Sequence, residues 1–135
     1  MPFRYLLDTN ILSALMRHPQ GEIAQQIASR GEENVCTSTI VACKLRYGAC
    51  KAGSTRLSDR VELILSALEV LPVEPPADWH YGEIRQHLAR QGNPIGPNDL
   101  LIAAHARALD LTVVTDKVRE FSRVPDLRVE NWLPR

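Results

Sequence analysis

Three aspartates of this chain stand where carboxylates could do chemistry. Asp8 ends the apolar run FRYLLD, and Asp116 ends the apolar run LTVVTD. Asp99 lies in the first turn of a predicted helix at residues 96–109, where the helix dipole also favours a carboxylate. If the three carboxylates meet, their repulsion requires a cation between them, and oxygen ligands of this kind suit Mg²⁺ or Mn²⁺. Such an ion could orient a water for the hydrolysis of a phosphodiester.

Each aspartate also has a structural interpretation when it is taken alone. Asp8 could cap a helix that begins at Thr9, Asp99 could satisfy free backbone amides, and Asp116 could start a turn. The three together favour the metal site more than any one of them does. For each residue taken alone, the structural role and the metal-binding role both remain open.

Predicted strands alternate with predicted helices along the chain, which indicates a parallel sheet with helices on both faces. In such sheets ligands bind beyond the carboxyl ends of the strands. The sequence predicts an α/β fold, with one domain over residues 1–135 that forms a three-layer α/β/α sandwich with a mainly parallel sheet. The predicted strands cover residues 3–8, 35–38, 70–73, 111–116 and 127–132, and predicted helices cover 9–17, about 21–30, 54–69 and 96–109. One more helix is predicted to begin at Ser38 and Thr39, and another to begin at Pro75-Pro76 and stop at Gly92.

The charges of the chain cancel overall but not locally. There are 16 basic and 16 acidic residues, so no global basic field indicates a nucleic-acid partner. Residues 40–60 are nevertheless basic, with Asp59 as their one acid. This segment is either a solvated helix face or a surface that contacts phosphate groups. Its basic residues are Lys44, Arg46, Lys51, Arg56 and Arg60.

Cysteine spacing and hydropathy indicate a cytoplasmic protein with no membrane attachment. Cys36, Cys43 and Cys50 recur every seven residues, which is not a zinc-binding pattern, and we expect them to be small core residues. No stretch approaches the roughly 20 apolar residues of a membrane span, and the first residues lack a secretory leader. We also expect His105 to be a buried structural histidine, Trp132 to fix the last strand, and one helix face to pack on the core: Trp79, Tyr81, Ile84 and Leu88.

One lysine stands out in the segment STIVACKLRYG. Ser38 and Thr39 are residues that open helices, and in the helix that follows Lys44 lies one turn from an apolar stripe of Ile40, Val41, Tyr47 and Gly48. A lysine at such a position must reach water, find an acidic partner, or occupy a position that suits another residue.

Four segments carry a resemblance to a known family: YLLDTN, TSTIVACKLRYGA, PIGPNDLLIAAHARAL and VVTDKVREFSRVPDLRVENW. They resemble PIN-domain ribonucleases and, more narrowly, the VapC toxins of bacterial type II toxin–antitoxin pairs, over nearly the whole chain. The resemblance implies an endoribonuclease that uses Mg²⁺ or Mn²⁺ and acts on RNA, often tRNA. It also implies a homodimer, a VapB antitoxin that blocks the site, and a larger complex of the two proteins.

Carried onto this chain, the resemblance makes Asp8, Asp99 and Asp116 the metal-binding catalytic acids. They match the first, third and fourth acids of the family, and the second acid, a glutamate, falls on Lys44. We therefore expect weak cleavage of RNA by this chain, or none.

The resemblance and the basic segment give four candidate RNA-binding residues: Asn98, Lys117, Arg46 and Lys51. Asn98 and Thr115 would be neighbours of the site, and Asn10 is similar to the family's usual residue after the first acid. Relatives commonly have asparagine where this chain has Lys117, which either contacts RNA phosphate or is a solvated lysine at a strand end.

Two other functions compete with the nuclease. One is a PIN-fold interaction protein that binds antitoxin or RNA without chemistry. The other is a phosphoaspartyl enzyme with Asp8 as nucleophile and Lys117 as the phosphate-binding lysine. That chemistry favours an acid two residues after the nucleophile, and this chain has Asn10 there.

Overall fold

Five short strands form a parallel sheet in the computed structural model, which describes residues 3–134. The strand order is β3-β2-β1-β4-β5, and every neighbouring pair is parallel. The predicted α/β sandwich with a parallel sheet is confirmed. The strands are β1 (Tyr5–Leu7), β2 (Val35–Ser38), β3 (Glu69–Leu71), β4 (Thr112–Val114) and β5 (Val129–Glu130).

Seven α-helices within the described residues connect the strands. Right-handed crossovers, the rule for parallel strands, put α1–α4 on one face of the sheet and α5 and α6 on the other. The packing agrees, because α1 contacts α2, α3 and α4, whereas α5 packs chiefly against α6. The helices are α1 (Thr9–Arg17), α2 (Glu22–Arg30), α3 (Thr39–Ala52), α4 (Thr55–Ala67), α5 (Ala77–Arg90), α6 (Pro97–Ala108) and α7 (Val118–Phe121).

The two central strands are buried on both faces. In β1, Leu6 and Leu7 are fully buried, and in β4 Val113 and Val114 are fully buried. Continuous apolar residues are typical of a parallel strand that is covered by helices on both sides. This core fixes the position of whatever follows β1 and β4 in the chain.

Side-chain caps set the first residues of the helices next to the sheet. Asp8 caps α1 by accepting a hydrogen bond from the Thr9 amide at 2.7 Å. Ser38 caps α3 through the Ile40 amide at 3.1 Å. The other residue expected to open this helix, Thr39, donates its hydroxyl to the Leu71 carbonyl at 2.9 Å instead. The caps make the strand-to-helix turns short, so the residues at these turns lie at the sheet edge.

Three of the predictions about packing are wrong. Cys36 is buried, but Cys43 and Cys50 are exposed. They lie on the outer face of α3 with Tyr47, which is 66% exposed and therefore not part of an apolar stripe. Trp79 is 64% exposed, although Ile84 and Leu88 of the same helix are buried as expected.

The remaining predictions about packing are confirmed. His105 is buried and its Nδ1 lies 2.9 Å from the Ser38 hydroxyl. Trp132 is buried against the ring of Tyr5. Within residues 3–134, no helix is long and apolar enough to cross a membrane.

Candidate active site at the carboxyl edge of the sheet

From β1 the chain adds β2 and β3 on one side and β4 and β5 on the other, so the strand order reverses between β1 and β4. Parallel sheets bind ligands at such a position. Asp8 directly follows β1, and Thr115 and Asp116 directly follow β4. The Asp8 amide donates to the Val114 carbonyl at 2.9 Å, which holds the two strand ends side by side. Two of the three predicted acids, Asp8 and Asp116, therefore lie at the carboxyl ends of adjacent strands.

Asp8 is a buried carboxylate with both oxygens hydrogen-bonded. Its Oδ1 accepts from the Thr9 amide at 2.7 Å, and its Oδ2 accepts from the Thr115 hydroxyl at 2.8 Å. The structural and functional interpretations of Asp8 are compatible, because the carboxylate that caps α1 also lies at the ligand-binding edge of the sheet.

Asp99 lies in the first turn of α6, which Pro97 opens. Its side chain is 9% exposed and faces two ammonium groups. Oδ2 accepts a hydrogen bond from Lys117 Nζ at 3.2 Å, and Lys44 Nζ lies 3.6 Å from Oδ1. Oδ1 is buried and accepts no hydrogen bond within the part of the chain that the structure describes.

Lys44 pairs with an acidic residue, Asp99. It comes from the second turn of α3, its side chain is 23% exposed, and its ammonium forms an ion pair with Asp99. The structure bears out the acidic partner, and the third possibility, that this position suits another residue, stays a prediction.

Lys117 also pairs with Asp99, which neither of its two sequence interpretations anticipated. Partial burial lowers the pKa of its ammonium. The hydrogen bond to Asp99 and the negative charges of Asp99, Asp8 and Glu120 outweigh that effect, so the pKa lies above its ordinary value. The Lys117 side chain therefore carries its positive charge at neutral pH.

Asp116 lies further out than the other two acids. Its Oδ1 accepts from the Asn10 Nδ2 amide at 3.0 Å, and both side chains are exposed. Asn10 is thus a partner of an acid rather than an isolated neighbour. The pairing could not be read from the sequence, because the two residues are brought together by the pairing of β1 with β4.

The residues of this chain, as they stand, do not fit a divalent cation. Such an ion needs several free oxygen ligands, and among residues 3–134 no three histidine, cysteine or acidic side chains are grouped to hold a metal. One oxygen of Asp99 accepts from Lys117 and the other lies beside Lys44. The expected metal site of Asp8, Asp99 and Asp116 stays a prediction.

The candidate RNA-binding residues are spread over the surface. Asn98 is exposed beside Asp99, but the Arg46 guanidinium pairs with Glu62 of α4. Lys51 is exposed, and it lies seven residues after Lys44 on α3, about 10 Å further along the helix. Asn98 and Lys117 adjoin the acids through Asp99, whereas Arg46 and Lys51 do not contact them in the structure.

Most of the chain matches a known protein family. The family model for the PIN domain matches residues 5–127. The chain belongs to the PIN-domain family. Curated relatives of this chain are VapC ribonucleases, so it falls in the VapC branch of that family.

Two curated relatives show how far the similarity extends. The tRNA(fMet)-specific endonuclease VapC of Salmonella typhimurium is 38% identical over 130 residues, with 96% of this chain and 98% of the relative covered. Ribonuclease VapC2 of Haemophilus influenzae (strain ATCC 51907) is 39% identical over 131 residues, with the same coverage.

Solved structures agree with the fold. VapBC2 of Rickettsia felis, bound to a DNA fragment from its promoter, superposes with a TM-score of 0.89 at 34% identity, covering 97% of this chain and 100% of the other. DNA-bound VapBC of Salmonella typhimurium also gives 0.89, at 38% identity, covering 97% and 99%. The PIN-like fold and the VapC kinship are therefore established.

Proposed function

We propose that this protein is the toxin of a type II toxin–antitoxin pair, an endoribonuclease scaffold whose active site is impaired by Lys44. The substrate is RNA. The class of RNA that we expect is tRNA, since relatives of this chain are named tRNA(fMet)-specific endonucleases. The chain acts in the cytoplasm as a homodimer and forms larger complexes with a VapB-type antitoxin. The VapBC complexes among its structural neighbours support that partner.

The ion pair of Lys44 with Asp99 is the observation that carries the proposal. Exchange of the family's glutamate for lysine changes the local charge by two units. At about 4 Å and an effective dielectric near 20, opposite charges attract by roughly 4 kcal/mol before desolvation is subtracted. The net value is smaller, since Lys44 keeps partial contact with water. An ammonium at this position repels a divalent ion and also pairs with the Asp99 carboxylate that the ion would need.

Hydrogen bonds hold the other two acids of the candidate site in fixed orientations. Thr115 and the Thr9 amide hold the Asp8 carboxylate in one orientation, and Asn10 holds Asp116. Mg²⁺ or Mn²⁺, bound to these acids and to a restored glutamate at position 44, would supply electrophilic stabilisation of the phosphate.

The test is to restore the acid. We expect Lys44→Glu to cleave tRNA in saturating Mg²⁺ and to lose that activity in EDTA, whereas the parental chain cleaves weakly or not at all. The matched control is Arg4→Glu, which makes the same change of charge at an exposed residue beside the opposite end of β1. Equal cleavage by the parental chain and Lys44→Glu would contradict the proposed impairment.

A second function is favoured by the same ion pairs. A PIN-fold protein that binds antitoxin or RNA without chemistry could tolerate two ammonium groups against Asp99. Such a protein should gain no thermal stability from Mn²⁺ even after Lys44→Glu. A rise in the midpoint of unfolding with Mn²⁺ concentration in that variant would instead support the nuclease, because a ligand that binds the folded state stabilises it.

The phosphoaspartyl function receives no support from the geometry. Asp8 is buried and both of its oxygens accept hydrogen bonds, so it is a poor nucleophile for a phosphoryl donor. Lys117, which would bind the phosphate, is paired with Asp99.

A further inference from the structure

We infer that Lys117 is a second, independent cationic block on the metal site, so that removal of Lys44 alone opens the site only partly. This inference rests on the proposed function, since it concerns the same acids. It assigns to Lys117 the role of excluding metal, in place of contact with RNA.

The two lysines engage different oxygens of one carboxylate. Lys44 Nζ lies 3.6 Å from Asp99 Oδ1, and Lys117 Nζ lies 3.2 Å from Asp99 Oδ2. Only the Lys117 contact meets hydrogen-bond geometry, so Lys117 holds Asp99 more directly than Lys44 does. A variant that loses Lys44 therefore still has one Asp99 oxygen occupied by an ammonium.

The two lysines also come from separate elements. Lys44 is carried by α3, whereas Lys117 follows β4 and precedes α7. The backbone amide of Lys117 donates to the Thr115 hydroxyl at 3.0 Å, and that hydroxyl donates to Asp8. The Lys117 backbone is thus fixed to the acidic edge of the sheet independently of α3, and exchange of Lys44 leaves it in place.

The position of Asp99 explains why Lys117 matters for a cation. Asp99 has a largely buried side chain with an oxygen that accepts no hydrogen bond, which is a group that gains from a bound cation. With the Lys117 ammonium present, a divalent ion must displace it before it can take both oxygens. The Lys117 side chain is 37% exposed, so it can move into water, and the block is a competition rather than a permanent closure.

The experiment compares Mn²⁺ binding, without RNA, in four chains: the parental protein, Lys44→Glu, Lys117→Met, and the double variant. Methionine keeps an unbranched side chain and removes the charge. Electron paramagnetic resonance of free Mn²⁺ gives the dissociation constant directly. We expect the double variant to bind roughly tenfold more tightly than Lys44→Glu, and the parental chain to show no specific binding.

The matched control is Arg119→Met in the Lys44→Glu background. Arg119 is an exposed cation two residues further along the chain, and its loss makes the same change of net charge. We expect less than about a twofold change, because exposed charges are screened by salt. Lys117→Gln provides a second neutral side chain, and the unfolding midpoint of each variant verifies that it is folded.

The outcomes separate this inference from the proposed function. Equal Mn²⁺ affinity for Lys44→Glu and the double variant would overturn the inference, as would an Arg119→Met effect as large as that of Lys117→Met. Tighter Mn²⁺ binding without any RNA cleavage would support the role of Lys117 and refute the nuclease. Tighter RNA binding by chains that retain Lys117, with no change in Mn²⁺ affinity, would make Lys117 a phosphate contact and overturn the inference.

Discussion

The Thr115 hydroxyl donates a hydrogen bond to Asp8 Oδ2 over 2.8 Å, across 107 residues of sequence. The bond joins the ends of the two central strands and lies in the buried interior. Through the same hydroxyl, the backbone of Lys117 is attached to the first acid of the site. Thr115 therefore links the end of β4 to two residues of the candidate site, Asp8 and Lys117.

Thr115→Val should destabilise the protein by about 1–3 kcal/mol. Valine has nearly the same shape, but it leaves a buried Asp8 oxygen without its donor, and such a group costs its desolvation energy. Urea unfolding monitored by circular dichroism measures the effect. Thr115→Ser keeps the hydroxyl and should retain most of the stability; a serine variant as unstable as the valine variant would show that the methyl group, not the hydrogen bond, matters.

Asp99→Asn should lower the free energy of unfolding by about 1–2 kcal/mol, because it leaves the ammonium groups of Lys44 and Lys117 without their shared carboxylate. The figure is modest since both lysines keep contact with water. A double-mutant cycle with Lys117→Met isolates the coupling. If the Asp99→Asn effect is the same with and without Lys117, the pair contributes nothing to stability.

Lys51→Ala should weaken RNA binding and reduce the salt dependence, whereas Arg46→Ala should have a smaller effect. Lys51 is exposed, but the Arg46 guanidinium pairs with Glu62 and must break that pair to reach a phosphate. The slope of log K against log salt is negative, and loss of one phosphate contact to a single strand reduces its magnitude by about 0.7. Titrations of labelled RNA at several salt concentrations test this. An Arg46 effect as large as that of Lys51 would contradict the argument.

Stability should fall in mild acid because of His105. Burial lowers the pKa of His105 below the ordinary 6.5, and nearby Pro72 and Glu74 oppose this only in part. The unfolded chain therefore binds a proton more readily than the folded protein, and the contribution is present above pH 6.5 and lost as pH falls through the lowered pKa. One proton limits the slope to about 1.4 kcal/mol per pH unit.

Chemical unfolding at several pH values between neutral and mildly acidic conditions measures that slope. His105→Gln should unfold more easily at neutral pH but lose less stability on acidification than the parental chain. An unchanged slope in this variant would assign the acid sensitivity to other groups, among which His80 also has a pKa lowered by burial and by Arg107.

Sequence patterns predicted the sheet because its signals are local. The apolar runs of β1 and β4 reflect burial on both faces. Asp8 and Ser38 can be predicted as helix caps from residue type and position alone. The sequence predicts β2 with its observed bounds but makes the other four strands too long, since pairing and not composition ends a strand. Pro72, for example, lacks an amide with which to continue β3.

The candidate site is harder to predict from the sequence because its contacts join distant segments. Asp99 and Lys117 are 18 residues apart on different elements, and no spacing rule relates them. Cys43 and Cys50 were misjudged for a related reason. Their spacing of seven puts them on one face of a helix, but it does not say whether that face is turned toward the sheet or toward water.

The order of the strands has a consequence for the newly made chain on the ribosome. The first acid is synthesised at residue 8, but its neighbouring strand, β4, comes more than a hundred residues later. A nascent chain that stops before Thr112 has no partner for that side of β1 and no Thr115 to orient Asp8. The sheet edge that carries Asp8 therefore forms only after residue 115 has been made, and chains truncated before that residue would lack the assembled acids.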